Sequence, residues 1–140
     1  MKKYFNENKK IIIGSLISIV LLILVLSIIL IVNVNKESKI DTFKNTLLAT
    51  IEQAKKLKVD EYELVTFPDT KEIISKDKKI KLSTGKKYNE LNKGYIIIYD
   101  DGSYAFKLSN GLYCASKTFA DIDINIDISG ECEDYEVEYK

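Results

Sequence analysis

The sequence predicts an α+β fold: a long N-terminal helix, first transmembrane in character and then amphipathic, packed on a small antiparallel β-sheet. Three observations predict it. Residues Ile11 to Val32, IIIGSLISIVLLILVLSIILIV, contain no charged residue, no Asn and no Gln. Residues 38–58 place apolar side chains three and four apart, one stripe of a helix. From Gly94 onward, β-branched and aromatic runs alternate with turn signals, as in an antiparallel meander.

The apolar run sets the expected location. A helix rises about 1.5 Å per residue, so 22 residues cover about 33 Å, the hydrocarbon thickness of a bilayer. In lipid each backbone N–H and C=O needs a partner within its own segment, which favours a helix. We read residues 11–34 as a transmembrane anchor, with Ile11, Gly14, Leu21, Leu22, Leu24, Leu26, Ile29 and Val32 among its anchor positions. The bilayer is then the first expected partner. Residues 1–10 form a basic tail carrying Lys2, Lys3, Lys9 and Lys10 against Glu7. The positive-inside tendency puts that tail in the cytoplasm and residues 35–140 outside. The run is longer than the 7–15 residues of a signal-peptide core, and no A-x-A pattern follows it, so an uncleaved anchor is expected. Gly14-x-x-x-Ser18 has the small-xxx-small spacing of helix pairs in lipid, a spacing that mostly arises by chance.

Charge and residue usage narrow the function classes. The 140 residues hold 21 basic and 21 acidic side chains and no His. Every basic residue is Lys, so the bidentate Arg contacts of specific nucleic-acid recognition are missing, and no nucleic-acid partner is expected. Without His, the commonest general base and metal ligand are gone. No nucleophile motif, phosphate-binding glycine loop or zinc spacing is present. We therefore expect no catalytic residue, no cofactor and no enzyme. Charge is also uneven. Residues 35–93 carry 14 Lys against 10 acids, and residues 94–140 carry 3 Lys against 10 acids.

Within residues 35–140 the elements follow in order. Ile40, Phe43, Leu47, Leu48, Ile51, Ala54 and Leu57 define a helix from about 38 to 58. A sheet is expected over about 62–139. Tyr62 to Phe67 alternates loosely, and Pro68-Asp69 ends it. Lys71 to Lys87 reads as a solvated loop around a short strand near Ile80 to Leu82. Gly94 to Tyr99 and Ser103 to Ser109 are strands about the Asp100-Asp101-Gly102 turn, and Asn110-Gly111 predicts a hairpin to Leu112–Thr118. Ile122, Ile124, Ile126 and Ile128 alternate with Asp123, Asn125 and Asp127, a half-buried strand. Tyr135 to Tyr139 is a candidate last strand.

Two features invite chemistry. Two Cys in an extracytoplasmic domain most often pair, and Cys114–Cys132 would close 17 intervening residues; free buried thiols or a reactive Cys are the alternatives. Asp121, Asp123, Asn125 and Asp127 suggest calcium. Counted from Asp121, however, the sixth place of a calcium loop is Ile126 and the twelfth is Cys132, where Gly and Glu are required. Outward carboxylates on a strand are the simpler reading.

The whole layout resembles type IV pilin-like proteins and pseudopilins. The resemblance is carried most concretely by GYIIIYDDGSYAFKLSNGLYCASK with Gly130-Glu131-Cys132 after it. This is similar to the C-terminal sheet of small pilin-like proteins of Gram-positive bacteria, where a Gly-x-Tyr-Cys segment pairs with a late Cys. The family's peptidase site, a Gly followed by an aromatic residue with Glu five places after the Gly, has no match here. Gly14 is followed by Ser15, and the fifth place after it is Ile19. The resemblance implies a structural or assembly component, like a minor pilin or pseudopilin of a pilus or type II secretion system. Its implied partners are copies of itself or other pilin-like or secretion-system proteins. The alternative is an anchored binding module for a cell-wall polymer, peptide or ion, with Tyr95, Tyr99, Tyr104 and Tyr113 as one aromatic surface.

Overall fold

A computed structural model describes residues 2–69, 71–75, 78–128 and 130–140; the side chains of residues 2–8, 10, 11, 75 and 78 lie outside that description. The fold is a long N-terminal helix and a small antiparallel sheet. Helix α1 runs Lys2–Ala54. The chain forms two compact units, Met1–Lys39 and Ile40–Lys140.

The first unit is helical throughout its described residues. Its large apolar side chains from Ile12 to Val34 are each between 48% and 65% exposed, on every side of the helix. Two of its hydroxyls are turned inward to the backbone. Ser15 Oγ donates to the Ile12 carbonyl at 2.9 Å, and Ser27 Oγ to the Ile23 carbonyl at 2.8 Å.

The second unit is built on the seam between α1 and the sheet. Phe43, Leu47, Thr50, Ile51 and Ala54 are buried, following the 3.6-residue repeat. Leu48, expected in that stripe, is 38% exposed at its margin. The helix ends at Ala54, earlier than the expected 58. Tight turn bonds from Lys56 N to Gln53 O and from Leu57 N to Ala54 O carry the chain on to the buried Leu57.

Seven strands follow: β1 (Tyr62–Phe67), β2 (Glu72–Ser75), β3 (Lys78–Lys81), β4 (Lys93–Tyr99), β5 (Tyr104–Ser109), β6 (Cys114–Lys117) and β7 (Asn125–Asp127). Strands β1-β4-β5-β6-β7 make one antiparallel sheet, and β2 and β3 pair as a separate hairpin. The central strand β4 is buried on both faces. Ile96 and Ile98 meet Phe43, Leu47, Phe106 and Leu108 on the helix side; Tyr95 and Ile97 meet Ala105 on the other. This explains its near-continuous apolar sequence.

Two local devices set the seam. Thr50, absent from the expected stripe, is fully buried, and its hydroxyl lies 2.8 Å from the Thr46 carbonyl and 2.7 Å from the Ser83 carbonyl. Gln53 Oε1 accepts from Ser83 N at 2.6 Å. Together they dock the 83–91 loop on the helix. Gly94 has φ of +121°, and a Cβ there would lie 1.9 Å from the Lys107 carbonyl oxygen, so only glycine lets β4 approach β5 at this point.

Three expectations are corrected. The Asn110-Gly111 link is not a two-residue hairpin turn, since Ser109 faces Cys114 across a four-residue loop. Asn110 Oδ1 accepts from Leu112 N and Tyr113 N, at 3.0 and 2.9 Å, which shapes that loop by side chain rather than by paired strands. The Ile/Asp strand is reduced to Asn125–Asp127, with Ile122 at 94% and Ile128 at 49% exposure. Residues 131–140 add no strand.

Replacing Gly94 by Ala is expected to destabilise the fold by more than ~2 kcal/mol, through backbone strain and a collision with β5. Thr50→Val should cost ~1–2 kcal/mol by orphaning the Ser83 carbonyl. Denaturant unfolding of the full chain in detergent checks both, with Gly102→Ala as the milder comparison because nothing lies within 4 Å of its Cβ position.

Candidate functional site

Polar side chains meet on the described surface at Asp101, Ser103 and Lys140, where the Ser103 hydroxyl lies 2.6 Å from Asp101 Oδ1 and 3.2 Å from Lys140 Nζ. Among the described residues, no cluster of three or more His, Cys, Asp or Glu stands ready for a metal. The calcium candidates are dispersed. Asp121 Oδ2 accepts from Thr118 N at 2.8 Å, and that N–H with the Thr118 hydroxyl holds its carboxyl below the usual range. Asp123 lines a groove of about 450 Å³, while Asn125 and Asp127 are exposed on β7. The groove's walls mix Lys44 and Asp123 with Leu47, Leu48, Tyr104 and Ile122.

The two cysteines do come together. Cys114 and Cys132 are joined as a disulfide with their Cα atoms 5.2 Å apart, and both alternatives, free thiols and a reactive Cys, fall away. The bond fixes the start of a C-terminal strap, residues 133–140, on the sheet face opposite the helix. Lys107 Nζ on β5 donates to Asp134 Oδ1 at 2.9 Å. Val137 packs with Tyr95, Ile97 and Ala105. Glu138 N donates to the Tyr95 hydroxyl at 3.0 Å, and Lys140 N donates to the Tyr99 hydroxyl at 2.9 Å. The Tyr139 ring meets the Tyr62 ring edge-on at 5.8 Å, and Lys140 pairs with Asp101. The strap thus crosses β6, β5, β4 and β1 in turn.

The four tyrosines expected as one surface are divided. Tyr95 and Tyr99 lie on the strap side; Tyr104 and Tyr113 lie on the helix side. Tyr113 stacks at a tilt on Phe43, 5.6 Å between centroids, and Tyr104 carries Lys55 and Lys117 at 4.0 and 4.9 Å. The anchor positions Gly14, Leu21, Leu22, Leu24, Leu26, Ile29 and Val32 are all exposed on α1, as is Lys9. The side chains of Ile11, Lys2, Lys3 and Lys10 lie outside the described residues. The strap was the feature hidden from sequence reasoning, and its signal was compositional: an acidic segment, EDYEVEYK, facing strands that carry Lys93 and Lys107.

Comparison with protein-family models, with curated proteins and with solved structures finds no match to this chain.

Lys107 holds the Asp134 carboxyl below its ordinary range, and Asp134 in turn raises the Lys107 ammonium. Lys140, with the Ser103 hydroxyl and N–H, holds Asp101 well below that range. A carboxylate depressed on folding stabilises the fold fully above its ordinary pKa, near ~4, and loses that contribution as pH falls through its folded value. The strap should therefore hold at neutral pH and loosen below about pH 4. Near-UV dichroism of the tyrosines is expected to fall there before the far-UV signal does; near-UV intensity unchanged down to about pH 2 would contradict this. Cys132→Ser is expected to cost ~3 kcal/mol by freeing the loop that the bond closes, read by the same denaturant unfolding.

Proposed function

We propose that this chain is a single-pass membrane protein that holds residues 35–140 outside the cytoplasm and works by association, as a structural or assembly component resembling a minor pilin or pseudopilin. The observation that carries the reading is the apolar surface of α1 between Ile12 and Val34, exposed on all sides, with none of its most apolar 18-residue window buried. Monomeric soluble proteins rarely expose a contiguous apolar patch beyond a few hundred Å². Ser15 and Ser27 add support, because hydroxyls bonded to their own helix carbonyls present little unpaired polarity to lipid. Lys9 and its neighbouring lysines support a cytoplasmic N-terminus.

Support for the pilin-like part of the reading comes from the second unit. The helix stripe on an antiparallel sheet, and the bond from Gly111-Leu112-Tyr113-Cys114 to the late Cys132, match the arrangement the resemblance implies. With Ser15 after Gly14 and Ile19 in the place of the family's Glu, processing at that site and filament assembly through that Glu form no part of the proposal.

Membranes from cells expressing the full chain are expected to retain it through an alkaline carbonate wash, and protease added to intact cells should remove residues 35–140. Leu21→Lys with Leu24→Lys should release it, since each central Lys costs ~2.5–3.5 kcal/mol on insertion. Recovery of the unaltered chain in the soluble fraction would overturn the reading.

A further inference from the structure

The sheet face opposite the helix is covered by a segment that makes no ladder pairing with it among the described residues. What holds the strap is a set of contacts of the kind that recognise a separate extended peptide. Tyr95 and Tyr99 stand four apart on β4, and their hydroxyls accept from the alternate backbone N–H groups of Glu138 and Lys140. Just before these two anchors, Val137 packs on the cluster of Tyr95, Ile97 and Ala105. Lys107 takes the Asp134 carboxylate. Lys93 lies 4.5 Å over the Tyr135 ring and 3.8 Å from Glu131. The face is basic where the strap is acidic, so charge and shape agree on one occupant: a segment with the sequence of residues 133–140.

We propose that copies of this chain associate through this face, each laying residues 133–140 on the sheet of a second copy in place of that copy's own. The proposal rests on the association reading above and names the contact. The trans contacts are the cis contacts, so the exchange needs no new complementarity and is reciprocal, as a two-fold pair requires. Cys132 sets the boundary. Its bond to Cys114 keeps the chain up to 132 on β6, and the eight residues beyond can extend to about 27 Å. Asp134 stands two residues past Cys132, so the crossing to the second copy falls on Glu133 and the two sheets must meet near the Cys114–Cys132 edge. With equivalent contacts on both sides, concentration decides the balance, and confinement of anchored copies in one bilayer raises it.

The test uses the full chain, light and 15N-labelled, mixed in detergent and reconstituted together at high density in phosphatidylcholine vesicles. Carbodiimide then joins Lys107 to Asp134 without a spacer. Mixed-mass Lys107–Asp134 peptides are expected to approach half of the total, and to vanish when the same mixture is reconstituted at a low ratio of protein to lipid. Coupled peptides of unmixed mass alone, at high density, would overturn the proposal. A second pair of variants guards against loss of folding. Lys107→Asp and Asp134→Lys each oppose like charges within one copy, but exchange between the two restores both pairs. Mixed, they should associate at least tenfold more tightly than either does alone, with the Cys114–Cys132 bond intact in each. Equal association of the mixture and the single variants would sink the exchange. Carbonate extraction reads the membrane anchor separately, so failure of the anchor and failure of the exchange are distinguishable.

Discussion

The apolar surface of α1 between Ile12 and Val34 must leave water, and no other part of the described chain removes it. At least eighteen large side chains there are about half exposed. If covering the rest of each contributes ~1 kcal/mol, the total is on the order of 20 kcal/mol. That exceeds the 5–15 kcal/mol by which a small domain is typically stable. A term of that size exceeds the net stability typical of a domain the size of the second unit, which is the energetic argument for the proposed anchoring. Bilayer insertion would meet the demand for a single helix with its backbone satisfied internally and the Ser15 and Ser27 hydroxyls turned onto its own carbonyls.

Within the second unit the deciding constraint is the two-sided burial of β4. A sheet of five short strands with one helix on it leaves its other face bare, yet Tyr95, Ile97 and Ala105 are almost wholly buried. The strap covers them, and the disulfide holds it at the edge where it begins. Glycine at 94 and the Thr50–Ser83 contact then fix the distances on the helix side: the first brings β5 against β4, and the second draws the 83–91 loop onto the helix. A core of this size tolerates little slack, because both faces of one strand depend on close approach.

Much of this was legible beforehand, and the failures have physical causes. Strand β1 runs Tyr62–Phe67, the run that the sequence marked off with Pro68-Asp69, because proline ended it locally. The stripe Phe43, Leu47, Ile51 and Ala54 obeyed its period; Thr50 lay on the same face and was passed over because its hydroxyl hides a buried role. Ile122 and Ile128 alternate as a strand would, yet only three residues pair with β6, because alternation reports which face a side chain takes and not whether a neighbouring strand is there to pair. The strap was misread for a related reason. Tyr135, Val137 and Tyr139 alternate with acids, which suits any extended chain laid on a sheet, whether edge to edge or across it. Pairing of Cys114 with Cys132 was expected, but its consequence, a segment crossing four strands, depends on which face Cys132 approaches, and no local pattern encodes that.

The division of charge along the sequence acquires a structural meaning through the same strap. Residues 94–140 carry 10 acids against 3 lysines. Left on one exposed surface, that excess would repel itself. The fold instead lays the acidic end over the sheet, where Asp134 meets Lys107, Glu131 approaches Lys93, and Asp101 receives Lys140 from the strap's far end. Each pair is solvent-exposed and individually weak. Their value lies in register: three pairs spread along ten residues admit one alignment of strap on sheet, while the apolar seat at Val137 and the two tyrosine hydroxyls supply the attraction. A surface so arranged distinguishes its own acidic segment from other extended chains, and that selectivity is what an association between like copies would draw on.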